Sequence, residues 1–144
     1  MVSGKDFVLD PNGKTVRTAK SKCNSRCVIY HARCSHCSKM YVGKSTQRLN
    51  NRISGHRHKF YECLAYEGDR IELDDDDHLL GLHLYLQHEI RDRGGFNDSY
   101  IYTVLEICGP RDLDAKEHLW IQRMKAIKPF GLNSHDPFGI PLIL

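Results

Sequence analysis

Residues 27–56 read CVIYHARCSHCSKMYVGKSTQRLNNRISGH, and the fold turns on this stretch. Two short β-prone runs, Val28-Ile29-Tyr30 and Met40-Tyr41-Val42, enclose a turn-rich segment holding Cys34, His36 and Cys37. The pattern predicts strands over 28–33 and 39–43, the second ended by Gly43. Ser45 or Thr46 then offers a cap for a helix over 46–61, where Leu49, Arg52, Ile53 and His56 share one side because residues three and four apart are neighbours. Such a unit gathers two tyrosines, a guanidinium and an imidazole.

Upstream, Asp10-Pro11-Asn12-Gly13-Lys14 is a strong turn signal between Phe7-Val8-Leu9 and Thr15-Val16, enough for a small hairpin. Residues 1–22 read either as a basic arm toward nucleic acid (Lys14, Arg17, Lys20, Lys22, with Arg26 beyond) or as a packing extension. Downstream, 65–77 breaks all periodicity and includes Asp74-Asp75-Asp76-Asp77, and like charges in a loop ordinarily stay solvated. Residues 64–77 thus read as an acidic insertion. Leu79, Leu82, His83, Leu86 and Ile90 recur at helical spacing, predicting a helix over 78–91 stopped by Gly94-Gly95. Residues 99–108 (SYIYTVLEIC) predict a third strand, and 113–126 a third helix before Pro129. The tail, 134–144, reads as irregular. The fold class is therefore α+β, with a three-stranded, mainly antiparallel sheet flanked by helices.

At 144 residues the chain is one domain by length, with an ordinary globular balance of 40% hydrophobic and 27% charged residues. No run approaches the ~18 apolar residues of a membrane span, and MVSGKDF lacks a signal-peptide core, so an intracellular protein with no membrane partner is expected. The net charge of +3 hides an asymmetry: residues 1–63 carry +10 and residues 64–144 carry −7. The basic half contains the Tyr/Arg/His unit, which suits a polyanion. Six cysteines without a secretory signal favour metal binding or free thiols over disulfides.

Glu117 is the most informative single residue. Leu113, Trp120, Ile121 and Met124 lie at −4, +3, +4 and +7 from it, so it falls within the apolar stripe of its helix. A carboxylate there must be paired, protonated or metal-bound. An oxygen ligand of this kind suits Mg²⁺ or Mn²⁺. Cys34-x-x-Cys37 is a zinc half-site by spacing, and His83-x₄-His88 fits the second half. Cys23, Cys27, His31 and His36 are rival ligands, whereas Cys63 and Cys108 read as structural. Lys44, Arg48, Arg57 and Lys59 are candidates for phosphate contacts, which position a duplex without reading its sequence. Arg52 has the planar fork to grip phosphate oxygens.

Val28-Ile29-Tyr30, Tyr41-Val42-Gly43, Arg52, His56, Glu117 and Asn133 together resemble the GIY-YIG endonuclease family, over residues 23–133. Val28 stands where the signature's first glycine would be, and Val42 where its second isoleucine would be. The Cys-x-x-Cys between the half-motifs is most similar to the endonuclease domain of Penelope-like retroelements. The resemblance implies a metal-dependent DNA endonuclease with Tyr30 activating water, Tyr41 and His56 positioning water or phosphate, Glu117 holding Mg²⁺ or Mn²⁺, and Asn133 supporting a tyrosine or the metal shell. It further implies structural zinc on Cys34, Cys37, His83 and His88, a nuclear location, and a reverse transcriptase domain or RNA as partner. Two rivals stand beside it: a zinc-stabilised nucleic-acid-binding module without catalysis, and a repair or restriction nuclease of the same chemistry.

Overall fold

The computed structural model describes residues 7–17, 27–65, 78–134 and 136–138. Lys20, Lys22, Cys23, Arg26, the run Asp74-Asp75-Asp76-Asp77 and the end of the tail lie outside them.

A hairpin of β1 (Phe7–Leu9) and β2 (Thr15–Arg17) opens the described chain. Its turn forms as the sequence predicts: Gly13 takes φ +81, and the Asp10 carboxylate accepts the N–H groups of Asn12 and Lys14 at 2.9 Å. Then come β3 (Val28–Cys34) and β4 (Met40–Ser45), the 17-residue helix α1 (Leu49–Ala65), and the short α2 (Leu79–Leu82), which runs into a π-helical turn, His83–Gln87. β5 (Tyr100–Ile107) and α3 (Leu113–Met124) complete the order.

The main sheet has the order β4-β3-β5 and is antiparallel throughout. As the central strand, β3 is buried on both faces, and only Arg33 along it is exposed. On one face Val28, Tyr30, Ala32 and Cys34 pack with Leu49, Ile53 and Phe60 of α1 and Leu79 and Leu80 of α2. On the other, Ile29, Val42 and Leu105 meet Leu113, Trp120, Ile121 and Met124 of α3. Val16 joins this second cluster, so the hairpin packs on the body. Three layers result, with the sheet in the middle.

Several predicted boundaries shift, each for a local reason. The strand β4 runs past Gly43 to Ser45, because Gly43 pairs with Tyr30 and lies over aromatic rings. A Cβ there would meet Tyr30 Oη at 2.6 Å, so the glycine serves close approach rather than strand ending. Ser45 does not begin a helix: its Oγ accepts the Gln47 N–H at 3.0 Å, closing a turn ahead of Leu49. The second helix ends at Gln87, capped by His88, rather than running to 91, because Glu89 adopts a left-handed φ of 54°. No described helix is long and apolar enough to cross a membrane.

Candidate active site and metal centre

The strand β3 carries chemistry at both ends. At its C-terminal end, Cys34 is the last residue of β3 and Cys37 lies in the turn to β4, while His83 opens the π-helical turn and His88 caps it. In a regular α-helix, residues five apart point well away from each other at 3.6 residues per turn. Widening the turn brings both imidazoles round to one side. All four ligand atoms then lie within 4.8 Å of one another. The separations are 3.5 Å for Cys34 Sγ to His88 Nε2, 3.3 Å for Cys37 Sγ to His83 Nε2, and 3.1 Å between the two Nε2 atoms. Zinc–ligand bonds of ~2.3 Å to sulfur and ~2.0–2.1 Å to nitrogen in a tetrahedron would set S···N at about 3.6 Å and N···N at about 3.3 Å. The cluster therefore has the dimensions to hold a metal such as zinc. Burial, with His88, Lys39, Lys128 and His36 nearby, holds His83 down at about 4, leaving the neutral imidazole a ligand requires.

The described rival ligands lie outside the set of four, although the His36 ring stands beside it, 5.0 Å from that of His88. His36 shares a 3.0 Å hydrogen bond with Ser99 Oγ. His31 is buried in the sheet, with neither ring nitrogen hydrogen-bonded among the described residues, and burial lowers it to about 4. Cys27 sits across from Cys108, whose N–H donates to the Cys27 carbonyl. Cys63 is buried, as a structural thiol should be.

At the other end, Tyr41, Val42, Lys44, Arg52, Asp114, Glu117, Asn133 and Pro137 line one cleft of about 260 Å³. The cleft lies where β4, α1 and α3 converge. Glu117 is half-buried in its wall. It borders the apolar stripe of α3, whose core-facing positions are Leu113, Trp120, Ile121 and Met124. One turn earlier, Asp114 forms an ion pair with Lys44. Burial alone would lower Lys44, but Asp114 and the nearby Glu117 outweigh it and raise it, so the cation persists.

Tyr30 and His56 do not line the cleft. Both are buried beneath it, with Tyr30 Oη 2.7 Å from His56 Nε2. Burial drives the Tyr30 phenol up to about 12, against the opposing pull of the Arg52 guanidinium. Burial and Arg52 drive His56 down to about 3. A protonated phenol beside a neutral imidazole makes Tyr30 the donor and Nε2 the acceptor. The Tyr41 ring packs on both, 6.3 Å from Tyr30 and edge-on to His56 at 5.8 Å. Tyr41 is the phenol at the cleft wall.

Asn133 contacts neither tyrosine nor carboxylate in the bonds it makes. Its Oδ1 accepts the Val42 N–H at 2.9 Å and its Nδ2 donates to the Val42 carbonyl at 2.8 Å. Since β4 is an edge strand, the amide supplies the pair of bonds a further strand would have made. Of the expected phosphate contacts, Lys44 lines the cleft and Arg48 is exposed. Arg57 instead donates to Asn97 Oδ1 at 2.9 Å, and Lys59 lies 3.7 Å from Glu62.

Three participants escape sequence reasoning: Asp114, Pro137 and the pin that places Pro137. Asp136 is buried and accepts from His118 Nδ1 at 2.7 Å and from the Phe138 N–H at 2.8 Å, fixing residues 136–138 against α3. Asp114 alone left a trace, at i−3 from Glu117 on the same helix face.

The site so defined is an open cleft with a carboxylate, a guanidinium, an ammonium and a phenol, braced by a separate Cys₂His₂ cluster. Comparison with protein-family models, curated proteins and solved structures gives no match.

Proposed function

We propose that the chain is a divalent-metal-dependent DNA endonuclease of the GIY-YIG type, similar to the target-nicking domain of Penelope-like retroelements. The observation that carries this reading is the cleft that gathers Tyr41, Arg52 and Glu117 from β4, α1 and α3, with Lys44 beside them. Those residue types match the needs of phosphodiester hydrolysis: charge stabilisation, orientation and an ion site.

Glu117 fits Mg²⁺ or Mn²⁺, being a half-buried oxygen donor in an open cleft where waters can complete the shell. A bound ion would supply Lewis-acid polarisation of the phosphate and stabilise the leaving 3′ oxygen. Arg52 grips two non-bridging oxygens through its fork. Lys44, held by Asp114, adds a second fixed positive charge. Tyr41 presents its hydroxyl to water or phosphate, and the Tyr30–His56 pair packs beneath it as a support. Asn133 keeps β4 in register and so keeps Tyr41 in place. Zinc on Cys34, Cys37, His83 and His88 clamps the β3–β4 hairpin to the second helix. By the same resemblance, the chain acts in the nucleus with a reverse transcriptase that uses the nicked end as primer.

A second reading, a zinc-stabilised nucleic-acid-binding module, is favoured by one observation: Tyr30 is wholly buried and held protonated. Nicking of supercoiled plasmid with Mg²⁺ or Mn²⁺ separates the two. The nuclease reading expects open-circle product that requires metal and disappears in Glu117→Ala. Plasmid bound but never nicked by the natural chain would decide for the binding module.

A further inference from the structure

The active cleft has a neighbour at Lys44. A second depression, about 410 Å³, is lined by Lys44, Ser45, Thr46, Gln47, Arg52, Pro110, Arg111, Leu113 and Asp114. Three residues, Lys44, Arg52 and Asp114, belong to both walls, so the two spaces are neighbours along one side of the molecule. The second half of the pair is within the ~300–1,000 Å³ typical of clefts that hold small ligands.

The charges along the pair are unequal. The first half holds the carboxylate Glu117; the second has three cations, Lys44, Arg52 and Arg111, against the single carboxylate Asp114, which Lys44 already engages. Arg111 is exposed on the turn Pro110–Asp112, just ahead of α3. No hydrogen bond or ion pair holds its side chain among the described residues. Opposite it, Thr46 and Gln47 are exposed on the turn that Ser45 closes from within. The second half is thus walled by uncommitted hydrogen-bonding side chains and a uncommitted guanidinium.

We infer that this second half is a phosphate subsite: it takes the backbone phosphate next to the one being cleaved, with Arg111 as its anion-binding residue and Thr46 and Gln47 as hydrogen-bonding partners. The inference rests on the nuclease reading for the place of the cleaved phosphate. A strand carries one negative charge per ~3.4 Å of rise, so a chain lying in the first half must bring further phosphates to its exits. This exit is the cationic one. It also relocates the DNA contact from Arg57 and Lys59, which are engaged by Asn97 and Glu62, to the loops at 45–47 and 110–112.

The test is binding of a fluorescein-labelled 20-base-pair duplex without divalent ion, followed by anisotropy across a salt series, and nicking of plasmid with Mg²⁺. For Arg111→Ala we expect five- to tenfold weaker binding and a salt slope shallower by about one, since each phosphate contact contributes about 0.9. Arg123→Ala removes the same charge from the far end of α3, where Arg123 lies over Trp120, and should leave the slope unchanged. Equal slopes for natural chain and Arg111→Ala overturn the subsite, as does an equal loss in Arg123→Ala, which would make the effect one of net charge. Nicking that persists in Glu117→Ala while Arg111→Ala loses its slope sinks the nuclease reading and leaves an anion-binding depression. Nicking that depends on Glu117 but ignores Arg111 sinks the subsite alone.

Discussion

The two ends of β3 solve opposite problems. At Cys34 the chain closes two thiols and two imidazoles around a space the size of one ion, with no carboxylate among them. At Tyr30 it keeps a cleft open, lines it with hard oxygen and cationic groups, and hides the aromatic support underneath. The first is a cluster whose atoms converge; the second is an open cleft that, on the proposed reading, seats a much larger anion. Both are built on a single central strand, so a perturbation at one end can be asked whether it reaches the other.

The largest effect should come from Glu117→Ala: nicking falls by 10²-fold or more, the scale seen when one charge-stabilising group is removed from an active site, while bound zinc stays at one per chain by metal analysis. Loss of zinc from that variant would mean the two ends are not independent. Next is metal removal at the clamp. Chelation, or Cys34→Ala with Cys37→Ala, should lower the melting temperature by roughly 8–16 °C, because metal at ~1,000 times its Kd contributes about 4 kcal/mol and each kcal/mol moves the midpoint about 2–4 °C at this size. Calorimetry with and without chelator checks it, and an unchanged midpoint argues against a structural ion.

A sharper probe is Gly43→Ala, whose new methyl would press on Tyr30 and Tyr41. Overpacking of this kind costs about 1–3 kcal/mol; nicking should drop at least tenfold with zinc content intact. Asn133→Ala leaves Val42 N–H and C=O without their bonds, a loss of about 1–3 kcal/mol for buried groups. Its urea midpoint should fall, and activity with it.

The last effect, on pH, is spread over several units rather than tied to one substitution. The folded-state values of His31 and His56 lie below the ordinary 6.5, at about 4 and about 3. Their contribution is present above pH 6.5 and is lost as pH falls toward those values, at up to about 1.4 kcal/mol per unit per group. Urea midpoints between pH 7.5 and 5 should therefore fall, and His31→Leu should shallow the slope. An identical slope would relieve His31 of the role.

Much of this was legible in the chain. Ligand spacing found the four clamp residues because a Cys-x-x-Cys turn is a local geometry, and the second histidine pair lay on an apolar helical pattern. Hydrophobic periodicity placed three strands and three helices, and the stripe around Glu117 drew attention to it. What periodicity could not supply is where a side chain finds its partner across the fold. Asn133 bonds to the backbone of Val42, a partner no spacing encodes. Tyr30 and Tyr41 look alike in sequence and share one sheet face, yet Tyr30 on the central strand is wholly buried while Tyr41 on the edge strand reaches the cleft wall. Arg57 reads as a free cation until Asn97 comes beside it, whereas the Lys59–Glu62 contact is an i,i+3 pair that the spacing does encode.

The π-helical turn makes the clamp sensitive to chain length as well as to ligand identity. His83 and His88 are five positions apart, and the extra breadth of one turn is what aligns them. Deleting Gln87 would set the two histidines four apart, a spacing that ordinary winding also brings to one side, so the pair would survive; inserting one residue there would set them six apart and turn one imidazole aside with every ligand still present in the sequence. The segment is a gauge that counts residues, and one residue too many there would be as damaging as losing a cysteine.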